Sequence, residues 1–211
     1  AELTTASPPV RGGVHLSFVG PDVDVCASRS VAIRRLTQNL TASAHRETAG
    51  AYLSRLGPGA RCLMMGFTTG MGGGGGALAR AWASDLVATL KRPNTPALFT
   101  CANAFADLSG ELGVFRALGA RFLVQPEANP FRAYTHAVGE VCAPGGITMM
   151  VRDGDARAQA SCANAFVYAV LGFEEKNGSA SGASDDRLCA LAAAAAARAA
   201  GKAWDALGME R

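Results

Sequence analysis

Gly66, Thr68, Gly70 and Gly72 belong to the stretch Met64-Met65-Gly66-Phe67-Thr68-Thr69-Gly70-Met71, which runs into five consecutive glycines, Gly72 to Gly76. An apolar run that ends in a glycine turn and reopens as a helix is the layout of a phosphate cradle. Glycine lets backbone N–H groups approach an anion, and a helix N-terminus favours negative charge. Thr100, at the end of a second apolar run, would stand beside that turn. The glycines fit GxGxxG, as any glycine run does. A dinucleotide site also needs a carboxylate about 20 positions on, at the end of the next strand. That place holds Leu90, Lys91 and Arg92, and the strand Ala97 to Cys101 ends without an acid. A P-loop needs Gly-Lys-Ser/Thr, and Ala77-Leu78 follow here instead. Neither cradle is complete, so the glycines are expected to form a mobile or partner-ordered loop. No cofactor is expected. The alternative is a Rossmann-like enzyme, or a binder of nucleotide or S-adenosylmethionine, using Gly66 to Gly76 and Thr100 to Asn103.

Other chemistry is thinner. Cys101 follows a strand and could act as a thiol nucleophile if His136 reached it in space, but no motif supports the pair. His15 lies in a strand, where a lone histidine is usually a satisfied core or edge residue. The chain has no GxSxG elbow, no HExxH and no calcium loop. Its six cysteines, Cys26, Cys62, Cys101, Cys142, Cys162 and Cys189, include no CxxC pair. That spacing excludes a zinc finger or ribbon. Reduced, buried thiols are the expected state.

Composition bounds the rest. The 211 residues suit one domain with an appendage, and 49% are hydrophobic, enough for a sizeable core. Charged residues are 18%, low for a soluble domain, which implies surface covered by a partner. The formal charge is +3 with no Lys/Arg block, so there is no nucleic-acid footprint. No apolar run is long enough for a transmembrane helix, which leaves association with a membrane complex open. The sequence begins with Ala1, which fits removal of a targeting peptide or a trimmed chain alike.

The elements that must position these residues follow from periodicity. Residues 1–13 read as a flexible lead-in. Val14 to Val19 reads as a strand stopped by Gly20-Pro21. Residues 23–44 are ambiguous, with a strand around Val31 and Ile33 and a helical option from Arg34 to Ala44. Arg46 to Leu56 reads as a helix. Cys62 to Met65 reads as a short strand buried on both faces. Ala77 to Leu90 is a helix with Leu78, Trp82, Leu86 and Leu90 inward. Ala97 to Cys101 and Ala120 to Val124 read as strands around a helix from Phe105 to Leu118, whose inward residues are Leu108, Leu112, Phe115 and Leu118. Ile147 to Arg152 and Ala165 to Leu171 read as later strands. The alternation from 61 to 124 makes two βαβ units and a mostly parallel, Rossmann-like sheet flanked by helices. The domain reading is a single α/β domain over 14–173, a polar linker over 174–187, and an Ala-rich C-terminal helix over 188–211.

An ordered series of motifs then carries a resemblance. Val19-Gly20-Pro21-Asp22, Met65-Gly66-Phe67-Thr68-Thr69-Gly70-Met71, Trp82, Thr95-Pro96-Ala97-Leu98-Phe99-Thr100 and Pro126-Glu127-Ala128-Asn129-Pro130-Phe131-Arg132 resemble the C-terminal domain of the mitochondrial splicing suppressor 51 and MYND-type zinc-finger protein family. The similarity covers roughly residues 14–134, and the Asn-Pro-Phe-Arg tetrapeptide is among its more specific parts. Two departures stand out. The zinc finger is absent, and Thr68 replaces the usual Asn of the glycine turn.

The resemblance implies an interaction module without catalytic activity. Its partners would be protein subunits of a larger complex in a mitochondrion or plastid, which the chain would serve as an accessory or assembly subunit. Physically, Pro130 forces Asn129 out of the helical region, where its amide can cap the local backbone. Phe131 is expected to plug the sheet edge, and Arg132 to pair with Glu127 or Asp107. Trp82 is expected to pack on the strands around Met64 and Leu98.

Overall fold

A computed structural model describes residues 13–21, 23, 34–57, 59–72, 77–102, 107–132, 140–142, 148–150, 163–174 and 183–206. The chain divides into two compact units, Ala1–Leu56 and Gly57–Arg211.

Among the described residues the first unit is a three-stranded sheet with one helix. Strand β1 (Val14–Val19) pairs parallel to β3 (Leu40–His45), which pairs antiparallel to β2 (Arg34–Thr37), in the order β1-β3-β2. The helical option for Arg34 to Ala44 is corrected to a hairpin. Its turn is Gln38-Asn39, where the Asn39 N–H donates to Thr37 Oγ1 at 3.3 Å. The period is 2, not 3.6. Thr41, Ser43 and His45 share one face of β3, and Leu40, Ala42 and Ala44 the other. Helix α1 (Ala49–Arg55) starts at Thr48, whose hydroxyl accepts from the Ala51 N–H. The strand expected around Val31 and Ile33 falls outside the described residues.

The second unit holds β4 (Met64–Gly66), α2 (Ala77–Leu90), β5 (Ala97–Cys101), α3 (Ser109–Leu118), β6 (Ala120–Ala128), β7 (Glu140–Cys142), β8 (Thr148–Met150), β9 (Phe166–Phe173) and α4 (Asp185–Ala206). Its main sheet has the order β4-β5-β9-β6, and β7 and β8 form a separate antiparallel pair. The mostly parallel expectation holds for strand direction, since β4, β5 and β6 run the same way, but not for pairing. β4 and β5 are parallel, and with α2 they make the first βαβ unit. β9 then inserts antiparallel between β5 and β6. The sheet is therefore mixed, because a strand from late in the chain takes the place that a second βαβ unit would give to β6.

The core forms where one face of this sheet meets α2, α3 and α4. Ala97 and Phe99 of β5 and Tyr168 and Val170 of β9 share that face with Phe115 of α3. Phe99, Phe115 and Tyr168 form a ring triangle with centroids 5.1–5.6 Å apart. Such aromatic contacts add to the area they bury. Gly119, at φ 71°, ends α3 and turns the chain straight into β6, a left-handed position that glycine takes without strain.

Three packing expectations change. β4 is an edge strand, with Leu63 and Met65 exposed, so it is not buried on both faces. The inward face of α2 is Ala79, Ala83, Leu86, Val87 and Leu90, while Leu78 is exposed and Trp82 sits half-buried at the core margin. A four-residue spacing drifts by about 40° per step on a helix with 3.6 residues per turn, so Leu78 has rotated far from Leu90. In α3, Glu111 and Val114 face inward with Phe115 and Leu118, while Leu112 is half-buried. The Ala-rich α4 packs on its neighbours, with Leu188, Ala192, Ala195 and Ala196 buried against α2 and α3.

Candidate functional site

The residues singled out in the glycine turn do converge, with partners the sequence reading missed. The turn follows β4, and Thr100 stands at the end of the neighbouring β5. The Thr68 N–H donates to Thr100 Oγ1 at 2.9 Å. The Thr100 and Thr68 hydroxyls both donate to Asn164 Oδ1, at 2.6 and 3.1 Å. Asn164 comes from just before β9, 96 positions from Thr68. Among the described residues, Thr68 and Asn164 are the two non-glycine residues with positive φ, at 46° and 57°. Asparagine tolerates that region, whereas a β-branched threonine is strained there. The hydrogen bonds to Thr100 and Asn164 hold it in place. The result is a hydroxyl and amide cluster at the ends of two parallel strands, where α/β folds commonly place ligands.

Beneath the cluster lies a buried acid. Glu111 projects from the first turn of α3 and is fully buried. Thr69 Oγ1 donates to Glu111 Oε1 at 2.5 Å, the Tyr168 hydroxyl donates to Oε2, and the Met71 N–H also reaches the carboxyl. Burial pushes its pKa up to about 7 against these three donors, and nearby Asp107 raises it further. Asp107 is itself raised by burial, though the Ala102 N–H donates to its Oδ2. Among the described residues no cation forms an ion pair with Glu111.

The glycines have structural reasons. A Cβ on Gly66 would stand 2.9 Å from the Phe99 ring. Gly70 has φ 64°. A Cβ on Gly72 would fall 1.9 Å from the Asp107 carbonyl oxygen, and one on Gly110 would fall 2.4 Å from Gly72 Cα. The Thr68 and Met71 N–H groups are already spent inside the protein, on Thr100 and Glu111. The expectation of a mobile loop concerns Gly73 to Gly76, which lie outside the described residues.

Cys101 is fully buried, and burial pushes its thiol far up, with Glu111 and Asp107 adding to the shift. That corrects the nucleophile option, because the thiolate is the reactive form. His136 lies outside the described residues. Among those residues no group of three or more His, Cys, Asp or Glu side chains gathers for a metal.

The Asn-Pro-Phe-Arg loop is half as expected. Asn129 is buried and caps the turn: its Oδ1 accepts from the Phe131 N–H at 3.0 Å, and its own N–H donates to Ala165 O at 2.9 Å. Pro130 initiates that turn. Phe131 plugs nothing and is 83% exposed. The sequence signal was a tetrapeptide, and its Asn and Pro have structural tasks in that turn. Arg132 is exposed and makes no ion pair with Glu127 or Asp107 among the described residues.

The first unit carries a polar chain that no motif signalled. His15 Nδ1 and Nε2 bond Thr41 Oγ1 and Ser43 Oγ at 2.7 and 2.8 Å, and Ser43 Oγ bonds His45 Nε2 at 2.8 Å. Ser17 and Tyr52 hydroxyls meet at 2.6 Å. Burial and Arg55 lower the His45 pKa against Glu47. The opposite face shows Val14, Leu16 and Phe18, the last 59% exposed.

No family model, no curated protein and no solved structure matches the chain.

Proposed function

We propose that the chain is a non-catalytic interaction module, an accessory or assembly subunit of a larger organellar complex. The observation that carries this reading is the apolar edge of the second unit. Leu63, Met65 and Phe67 alternate along β4 and its continuation, and all three are exposed. Register places Met65 beside Leu98, Leu98 beside Ala169, and Ala169 beside Val124, on the face opposite the helices. Met65 is 49% exposed and Val124 is also exposed. Among the described residues no strand pairs with the outer side of β4, and an edge strand with apolar side chains is a template for another chain. The low charged fraction and the resemblance to the MYND-type family's C-terminal domain support the same reading, and the resemblance supplies the organelle. No described helix is long and apolar enough to cross a membrane.

The test is the size of the native assembly. Wild-type chain and a Met65→Asp/Phe67→Asp variant are expressed in matched cells, and extracts are resolved by size exclusion. The expected result is a stoichiometric protein partner for the wild type and a free, folded chain for the variant. A wild type that runs as a lone monomer refutes the proposal.

A further inference from the structure

The turn from Gly66 to Gly72 is tied to the core through one carboxyl group. Glu111 accepts from Thr69 and Met71 in the turn on one side and from Tyr168 in β9 on the other. Thr69 is followed in the chain direction by the tight Gly72–Asp107–Gly110 backbone contact, and preceded by Thr68, which enters the cluster with Thr100 and Asn164. The groups facing Glu111 are neutral or acidic: Thr69 and Met71 from the turn, Asp107 from the segment before α3, and Tyr168 from β9. Cys101 of β5 couples to the same group of side chains.

We infer that Glu111 is a proton-controlled latch on this turn, setting how firmly Thr68 is held in the cluster with Thr100 and Asn164. As a carboxylate, Glu111 accepts from all three donors, and charge-assisted hydrogen bonds are the strong ones. Protonation turns one oxygen into a donor. Its partner, the Thr69 or Tyr168 hydroxyl, must then rotate to accept, and that hydroxyl's own proton leaves the carboxyl. One of the two ties therefore reverses and weakens. A fully buried carboxyl without a cationic partner changes charge near neutral pH, not near pH 4. The latch thus switches in a range that cells occupy.

The experiment is a pH series of amide correlation spectra on the full chain, from about pH 5 to about pH 8, bracketing the ordinary histidine range. The Met71 and Thr69 signals should move with one midpoint near 7. The Thr68 and Asn164 signals should move with the same midpoint. Glu111→Gln should abolish that movement, while shifts arising elsewhere in the chain persist. Asp107→Asn should lower the midpoint by removing a neighbouring acid. Tyr168→Phe should raise it by removing a donor to the carboxylate, and it serves as the folded control if Glu111→Gln does not fold. Static Met71 and Thr69 signals would overturn the titration. A Thr68 signal that stays still while Met71 moves would overturn the latch. A midpoint indifferent to Asp107→Asn and Tyr168→Phe would assign the titration to another group.

Discussion

Gly72→Ala should cost far more than any substitution at a turn glycine normally does. The reason is space, not dihedral angle. An added Cβ would stand 1.9 Å from the Asp107 carbonyl oxygen, 2.6 Å from its carbonyl carbon and 2.7 Å from its Cα. Those are backbone atoms, which cannot swing aside. The two segments would have to separate by roughly 1.5 Å to reach ordinary contact distance. Overpacking of that kind costs about 1–3 kcal/mol. The separation also pulls Met71 and Thr69 from Glu111, and a buried group left unsatisfied costs about 1–3 kcal/mol more. The expected loss is therefore roughly 3 kcal/mol or above, a large part of the 5–15 kcal/mol that holds a domain together. Gly113→Ala is the internal control, since its Cβ would meet Ala199 Cβ at 3.6 Å, an ordinary contact. It lies inside α3, where alanine is favoured over glycine by about 1 kcal/mol, so it should be neutral or stabilising. The assay is urea unfolding followed by tryptophan fluorescence. Both tryptophans, Trp82 and Trp204, belong to the second unit, so the signal reports that unit alone. A Gly72→Ala midpoint equal to the wild type's would refute the close contact between the turn and α3.

Further outcomes follow from the same geometry. Glu111 has its pKa raised from 4.5 to about 7. Stability from its neutral form is present below the unfolded pKa and is lost as pH rises through 7, so the wild type should lose roughly 3 kcal/mol relative to Glu111→Gln between about pH 4 and pH 8. Thr68→Asn should raise the urea midpoint by the equivalent of about 1 kcal/mol, because Asn takes a left-handed backbone more readily; a loss would show that the hydroxyl matters more than the strain. Asn129→Ala should cost about 1 kcal/mol through the lost cap, whereas Phe131→Ala should leave the midpoint unchanged. Trp82→Ala should cost less than the roughly 3–5 kcal/mol of a fully buried aromatic, and Phe115→Ala should reach that range. Cys101 should resist alkylation until the chain unfolds, which peptide mapping after a short iodoacetamide pulse will show.

Local pattern made some of the structure legible and left the rest dark for identifiable reasons. Helix α2 announces itself by length and by the prolines after it, and β5 by its apolar run. The direction of β9 is not written in its own residues. Phe166 to Phe173 reads as a strand in either orientation, and only its pairing with both β5 and β6 makes the sheet mixed. The inward face of α2 is legible only in part from its large side chains: Leu86 and Leu90 are buried as expected, Ala79, Ala83 and Val87 join them, and the bulk at Leu78 and Trp82 lies toward the margin. The Thr68 site was visible only in part, since its decisive partner, Asn164, is remote in sequence and belongs to no motif.

The small residues of the second unit share one physical logic. Ala79 and Ala83 on α2, Gly113 on α3, and Ala192, Ala195 and Ala196 on α4 are small residues where α4 packs against α2 and α3 over the sheet. Contacts of that kind have little room for large side chains, so the apolar volume moves inward to Phe99, Phe115, Phe122 and Tyr168. Tyr168 is then buried with a hydroxyl that must find a partner. Glu111 supplies it from the neighbouring helix, and its second oxygen is left to accept from the glycine turn. The buried acid is thus a consequence of packing as much as of chemistry. The close approach of the turn to the start of α3 needs Gly72 and Gly110, which is why a stretch that looks like a phosphate cradle in sequence is a joint between core and surface in the fold.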